Sequence, residues 1–195
     1  YLKSDGDIAV NSVRVEPCME FKRGALYEDK RMDLCKQVVG PTHIGSLMNS
    51  LETNNQVEHF LLGNNIIGTV GGEEIGKYLE KRHNMKTWYL AGNNLDSEGI
   101  KPIVDGLLND TVCEQLWLKR NPLKAAGIKE IARLMKVNKT IKILDLQNTA
   151  VFDEGLIYLM SSLKSNRTLD YLYLDGNGIT EHGAEPIVDY FKYLK

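Results

Sequence analysis

The stretch Cys113–Thr140 reads CEQLWLKRNPLKAAGIKEIARLMKVNKT, and its apolar pattern recurs on both sides of it. The 28 residues before it read MKTWYLAGNNLDSEGIKPIVDGLLNDTV, and the 28 after it read IKILDLQNTAVFDEGLIYLMSSLKSNRT. One unit further out lie VEHFLLGNNIIGTVGGEEIGKYLEKRHN, from Val57, and LDYLYLDGNGITEHGAEPIVDYFKYLK, which ends at Lys195. The five units align without a gap. Counting places from the first residue of each unit, places 1, 4, 6, 11, 16, 19 and 23 are apolar throughout, with Gly72 the one exception. In a chain that is 43% apolar, chance does not produce this. The chain is a repeat array.

Spacing gives the structure of the unit. Places 4 and 6, Leu116 and Leu118 in the central copy, are two apart, the period of a strand. Places 16, 19 and 23, Ile128, Ile131 and Met135, form one stripe of a helix. Each unit is therefore a short strand, a turn and a helix, too small to bury its own apolar side. Stacked units bury it together. An earlier window, Asp29–Gln56, fills the same places with Met32, Leu34, Val39, Ile44, Leu47 and Leu51, and fails only at Asp29. It is a degenerate sixth unit. Residues 1–28 leave the register. The alternation of Ile8, Val10, Val13 and Val15 near Asp5-Gly6 predicts short strands that cap the open end.

These units resemble leucine-rich repeats, specifically the 28-residue class of ribonuclease inhibitor. The family pattern L-x-x-L-x-L-x-x-N-x-L appears as C-EQ-L-W-L-KR-N-P-L from Cys113 and as L-DY-L-Y-L-DG-N-G-I from Leu169. A glycine recurs at place 15: Gly71, Gly99, Gly127, Gly155 and Gly183. The resemblance implies an α/β leucine-rich-repeat solenoid, a horseshoe with a parallel concave β-sheet and convex helices. It covers residues 29–195, with residues 1–28 as a non-repeat N-terminal cap. Asn65, Asn93, Asn121 and Asn177 match the asparagine ladder of the family. Thr149 and Gln37 hold that place in their own units, so irregular turns are expected there.

The register disposes of several motifs. Gly71–Tyr78, GGEEIGKY, is one residue short of a phosphate loop. Tyr78 stands where the magnesium-binding hydroxyl belongs, Glu73 and Glu74 would repel phosphate, and Lys77 falls at a solvent-facing place. Asn109-Asp-Thr, Asn138-Lys-Thr and Asn166-Arg-Thr fit the glycosylation sequon but sit where units end, which reads as a helix-end turn. His43, His59, His83 and His182 share no ligand spacing, and neither Cys35 nor Cys113 has a histidine partner, so no metal, cofactor or thiol nucleophile is expected. Ser97, Asp153 and Thr180 are candidate helix N-caps. Pro102 and Pro186, at place 18, are expected in the first helical turn.

Function is expected on the exposed strand places 3, 5, 7 and 8. Place 5 reads Asp33, Leu61, Tyr89, Trp117, Asp145, Tyr173, an aromatic-rich row of the composition found in binding hot spots. The candidate partner-binding residues are Leu61, Tyr89, Trp117, Lys119, Arg120, Asp145, Tyr173 and Asp175. Cations at Lys119 and Arg120 give way to anions at Asp145, Asp170 and Asp175. With a net charge of −2 and mixed signs on this face, nucleic acid is not the expected partner, and no apolar run is long enough to span a bilayer. The three widely spaced cysteines point to a reducing, cytoplasmic setting. The reading is thus a non-catalytic scaffold that binds a protein partner. Relatives of this repeat class include innate-immune sensors, actin-capping tropomodulins and axonemal regulatory subunits. Lys136–Thr140 matches a tropomodulin phrase, but that is the generic end of a unit. Two alternatives remain. The activator of the Ran GTPase shares the repeat class, with Arg120 as the contact it would use here, although its acidic tail is missing. The other is a structural subunit, since Tyr171, Tyr173, Tyr190 and Tyr193 mark a last unit that either continues or docks end to end.

Overall fold

The computed structural model describes residues 18–194. The strands expected around Ile8, Val10, Val13 and Val15 lie outside the described residues. The chain runs β1 (Cys18–Phe21), β2 (Gly24–Tyr27), β3 (Arg31–Asp33), α1 (Gly40–Leu51), β4 (His59–Leu61), α2 (Gly68–Leu79), β5 (Thr87–Tyr89) and α3 (Ser97–Leu107). It continues through β6 (Gln115–Trp117), α4 (Lys124–Val137), β7 (Ile143–Asp145), α5 (Phe152–Leu163), β8 (Tyr171–Tyr173), a 3-10 turn (Glu181–Gly183) and α6 (Ala184–Tyr193). One sheet holds every described strand in chain order. β1, β2 and β3 pair antiparallel, and β3 to β8 pair parallel. Equivalent places face each other, as in Leu61, Tyr89, Trp117, Asp145 and Tyr173.

The core lies between the sheet and the row of helices. Phe60, Trp88, Leu116 and Leu144, all at place 4, point into it and are fully covered. Trp88 meets Phe60 edge-on at 5.5 Å and Tyr78 at 5.7 Å. A buried Leu or Ile is worth about 1.5–3 kcal/mol, so the seven apolar places of each unit depend on a neighbour to cover them. The fifth unit shows the dependence. Leu172, Leu174 and Ile187 are only partly covered and Phe191 is 58% exposed, because among the described residues no element is stacked on their outer side.

The turn after each strand recurs too. Lys36, Asn64, Arg120 and Asn148, at place 8, all have φ between 54° and 60°. The irregular turns expected at Thr149 and Gln37 are absent: φ is 54° at Asn148 and 58° at Ala150, against 57° at Asn64 and 55° at Ile66. Thr149 Oγ1 donates to Leu146 O at 2.7 Å, doing part of what an asparagine amide does elsewhere. The ladder amides are buried. Asn93 donates to Leu62 O (2.8 Å) and Leu90 O (3.0 Å) and accepts from Asn65 N (2.9 Å).

Two of the three expected N-caps are displaced. α3 is capped by Asp96, whose carboxylate accepts from Gly99 N at 2.9 Å, and Ser97 is its first residue. Asp153 lies in the first turn of α5 and accepts instead from Thr180 N (2.9 Å) and Thr180 Oγ1 (2.6 Å) of the next unit. Thr180 caps the 3-10 turn as expected. Because α3 begins at Ser97, Pro102 stands inside the helix, while Pro186 keeps its first-turn position in α6.

The glycines of GGEEIGKY have a packing role. A Cβ on Gly72 would lie 1.9 Å from Gly99 O, and one on Gly76 would lie 2.6 Å from Pro102 O. α2 thus lies directly against the backbone of α3, an approach that any side chain at Gly72 or Gly76 would block. Lys77 is held by Glu74 at 2.6 Å.

Candidate protein-binding face

Place 5 projects from the strands on the side away from the helices, the concave wall of the solenoid. Tyr89 and Trp117, on adjacent strands, have ring centroids 6.2 Å apart. Trp117 and Tyr173 are separated by all of β7, a gap of about 10 Å at ordinary strand spacing. Their rings nevertheless stack at 5.9 Å and 23°, leaning toward one another. Trp117 Nε1 donates to Gln115 Oε1 at 3.3 Å, so the indole is oriented as well as packed. None of the three rings belongs to the hydrophobic core.

Asp145 is the residue between those two rings, and it is 1% exposed. It was expected to meet a partner; the short side chain is instead covered from both sides. Its Oδ1 accepts from Gln147 N at 3.0 Å, and its Oδ2 lies 3.8 Å from Lys119 Nζ. Asp33, at the same place in the degenerate unit, likewise accepts from Cys35 N at 2.9 Å. An aspartate at place 5 serves the strand end here.

The other expected residues divide. Leu61 and Lys119 are half-buried, and Lys119 Nζ sits 5.7 Å over the Tyr89 ring. Asp175 is exposed and accepts from Gln147 Nε2 at 2.6 Å. Arg120 is exposed, and its side chain has no hydrogen bond or ion pair among the described residues.

One feature escaped the sequence reading. Place 2 alternates in sign along the array: Lys30, Glu58, Lys86, Glu114, Lys142, Asp170. The charges pair along the strand starts, with Glu58 bound by Lys30 (2.5 Å) and Lys86 (2.6 Å), and Glu114 by Lys142 (3.1 Å). Hydrogen bonds from Lys30 and then Lys86 hold Glu58 down to about 2. The signal was legible as a 28-residue alternation, but a net count of the face conceals it.

Elsewhere the chemistry is quiet. Burial, and then the nearby Asp33 carboxylate, pushes the Cys35 thiol up to about 11, and burial raises Cys113 further, so neither is a thiolate at neutral pH. Among the described residues no group of three His, Cys, Asp or Glu side chains could hold a metal ion. No described helix is long and apolar enough to cross a membrane. Asn138 and Asn166 are 2% and 4% exposed, and their amides donate to Leu107 O and Met135 O, which closes those two sequons to modification in the folded chain. Asn109 is exposed. A polar cleft of about 470 Å³ at the unit ends is lined by residues including Arg82, His83, Asp105 and Asp110.

A family model described as Leucine Rich repeat matches residues 81–104, 137–160 and 165–188. No curated protein matches the sequence. Sixty chains of solved structures match its fold. One is "Leiomodin-1 Actin-Binding Site 2", with a TM-score of 0.65 and 18% identity, covering 76% of this chain and 87% of that one. Another is the tropomodulin C-terminal domain of Caenorhabditis elegans, with a TM-score of 0.57 and 15% identity, covering 77% and 92%. At such identities the likeness concerns the fold. The three family matches fall on the repeat units derived above, and the parallel strands and stacked helices have the architecture of the solved neighbours: the chain has the fold of a leucine-rich-repeat solenoid.

Proposed function

We propose that the protein is a non-catalytic interaction module whose partner is another protein, held on the concave face around Tyr89, Trp117 and Tyr173. One observation carries the reading. Three aromatic side chains from separate units touch each other on the solvent side of the sheet, outside the core. Rigid aromatic surface of this kind is what interface hot spots are made of. Leu61, Lys119, Arg120 and Asp175 surround it, and Asp145 supports it from below. The free cysteines favour a reducing, cytoplasmic setting. The β1–β2 hairpin favours residues 1–28 as a cap on a repeat domain at 29–195.

Capture from native extract, repeated with Trp117→Ala plus Tyr89→Ala, tests the face. Partners are expected to be lost, and retention of every partner by the double variant would remove this face from the function. The leiomodin-1 domain is described as an actin-binding site, which makes actin the first defined partner to test by co-sedimentation. A GTPase-activating role rests on Arg120 alone, exposed and unpaired. GTP hydrolysis by small GTPases, with Arg120→Ala as control, decides it. End-to-end association draws on Tyr171, Phe191 and Tyr193, all exposed on the fifth unit. Sedimentation of the 195-residue chain over a range of concentrations tests that, and a monomer throughout would overturn it.

A further inference from the structure

Resting on the reading of the concave face as a protein-binding site, we infer that the partner presents an amphipathic α-helix laid across the strands. Its N-terminus points toward β8 and its C-terminus toward β6, with an acidic residue in the last turn. Two independent observations lead there.

The first is the hydrogen-bonding state of the wall. Backbone groups beneath the shelf are already used between strands: Leu90 N donates to Trp117 O (2.8 Å), Leu118 N to Asp145 O (2.8 Å) and Leu146 N to Tyr173 O (3.0 Å). The rings above them offer apolar surface. An extended segment lying here would bury its own N–H and C=O groups without partners. A helix satisfies those groups internally and needs only an apolar stripe.

The second is the charge that the face leaves unmatched. Glu58 and Glu114 are held by lysines, and Asp145 is buried beside Lys119. Under the aromatic shelf, from β6 to β8, two groups at the strand ends keep their charge for a partner: Arg120, exposed and with its side chain unpaired after β6, and Asp175, exposed after β8 and its carboxylate bonded only by a neutral amide. A helix puts partial positive charge at its N-terminus and partial negative charge at its C-terminus, which sets the direction stated above. β6 and β8 lie about 10 Å apart. At 1.5 Å per residue this corresponds to about seven residues, so apolar positions i, i+3 or i+4, and i+7 would rest on the shelf.

Two display libraries of equal length, panned against the whole chain, test this: one randomises the outer face of a stable single helix, and the other consists of linear unstructured peptides. The expected binders come from the helical library, carry apolar residues at i, i+3 or i+4, and i+7, and have Asp or Glu in the last turn. Trp117→Ala should weaken them by about tenfold or more, as truncation of a hot-spot aromatic does. Panning against Arg120→Glu should exchange the terminal acid for Lys or Arg. Binders found only in the linear library but lost with Trp117→Ala would overturn the helix and leave the face intact. Binders indifferent to Trp117→Ala would overturn the face itself. Helical binders with the same charge preference against both proteins would overturn the orientation, and no binders from either library would overturn the inference entirely.

Discussion

Asn177 Oδ1 accepts from the backbone N–H of Thr149 at 2.8 Å, and no equivalent bond runs from Thr149 back to Asn121. Asn93 and Asn121 make that bond to the unit before them, at 2.9 Å each. At Thr149 the hydroxyl satisfies Leu146 O, and Leu123 N turns to Asn121 O of its own unit (2.8 Å). The ladder is therefore interrupted between the third and fourth units. Thr149→Asn is expected to restore it, adding a bond to Asn121 N and one to Leu118 O. With each net hydrogen bond worth about 0.5–1.5 kcal/mol, the gain should be about 1 kcal/mol. An upward shift of the urea midpoint at unchanged slope would report it, and a lower midpoint would show that the site cannot take the larger amide.

An intact rung should be far more sensitive. Asn93→Ala leaves Asn65 N without a partner and removes one of two side-chain donors each from Leu62 O, which keeps Asn65 Nδ2, and Leu90 O, which keeps Asn121 Nδ2, inside a fully buried turn. One unsatisfied buried group costs about 1–3 kcal/mol and each lost net hydrogen bond about 0.5–1.5 kcal/mol, so a loss of about 2 kcal/mol or more is expected. Asn109→Ala, at an exposed sequon position, is the control and should change stability by less than about 0.5 kcal/mol. Urea unfolding followed by far-UV circular dichroism compares the two. Equal effects would contradict the ladder as a stabilising element.

Gly76→Ala reverses a general rule. In an open helix the exchange stabilises by about 0.5–1 kcal/mol. Here the new Cβ would lie 2.6 Å from Pro102 O, a backbone atom, so α2 must move off α3. Destabilisation of about 1–3 kcal/mol is expected, as for other overpacked cores. Thermal melting decides the sign, and a raised midpoint would mean that the two helices do not approach this closely in solution.

The contrast between Trp88 and Trp117 shows how much of the fold was legible in the sequence. Their places, 4 and 5 of the unit, put one indole in the core and the other on the sheet face, and the structure agrees. Strand alternation is local, so a pattern of residues encodes it completely. Asp145 was misplaced because its burial comes from rings on two other strands, tilting across β7, which no one-strand pattern contains. The expected cap of α3, Ser97, is one residue late because the capping carboxylate, Asp96, lies outside the apolar stripe. The turn at Thr149 is regular because Asn148 and Ala150 take left-handed torsions that the apolar pattern does not report.

His83 Nε2 lies 3.3 Å from Asp110 Oδ1, joining the end turns of two units where both side chains are almost fully covered. His83 Nδ1 accepts from Met85 N (3.2 Å), so the Nε2 hydrogen is the one given to Asp110. Burial by itself raises the Asp110 carboxyl, but the His83 bond and the N–H groups of Cys113 and Val112 outweigh it and hold the group below its usual range. A carboxylate depressed in the folded state contributes stability that is complete above its unfolded pKa, about 4, and disappears as pH falls through the folded value. Acid should therefore weaken the protein from about pH 4 downward, with Glu58, also depressed, contributing to the same limb. Asp110→Asn separates the two. Its amide oxygen can still accept from Cys113 N, as Asn138 Oδ1 accepts from Ile141 N at 3.0 Å, but it no longer titrates. The variant should be less stable at pH 7, and its urea midpoint should fall less between pH 4 and pH 2 than that of the parent chain. Parallel pH profiles would show that Asp110 is not held ionised by its neighbours.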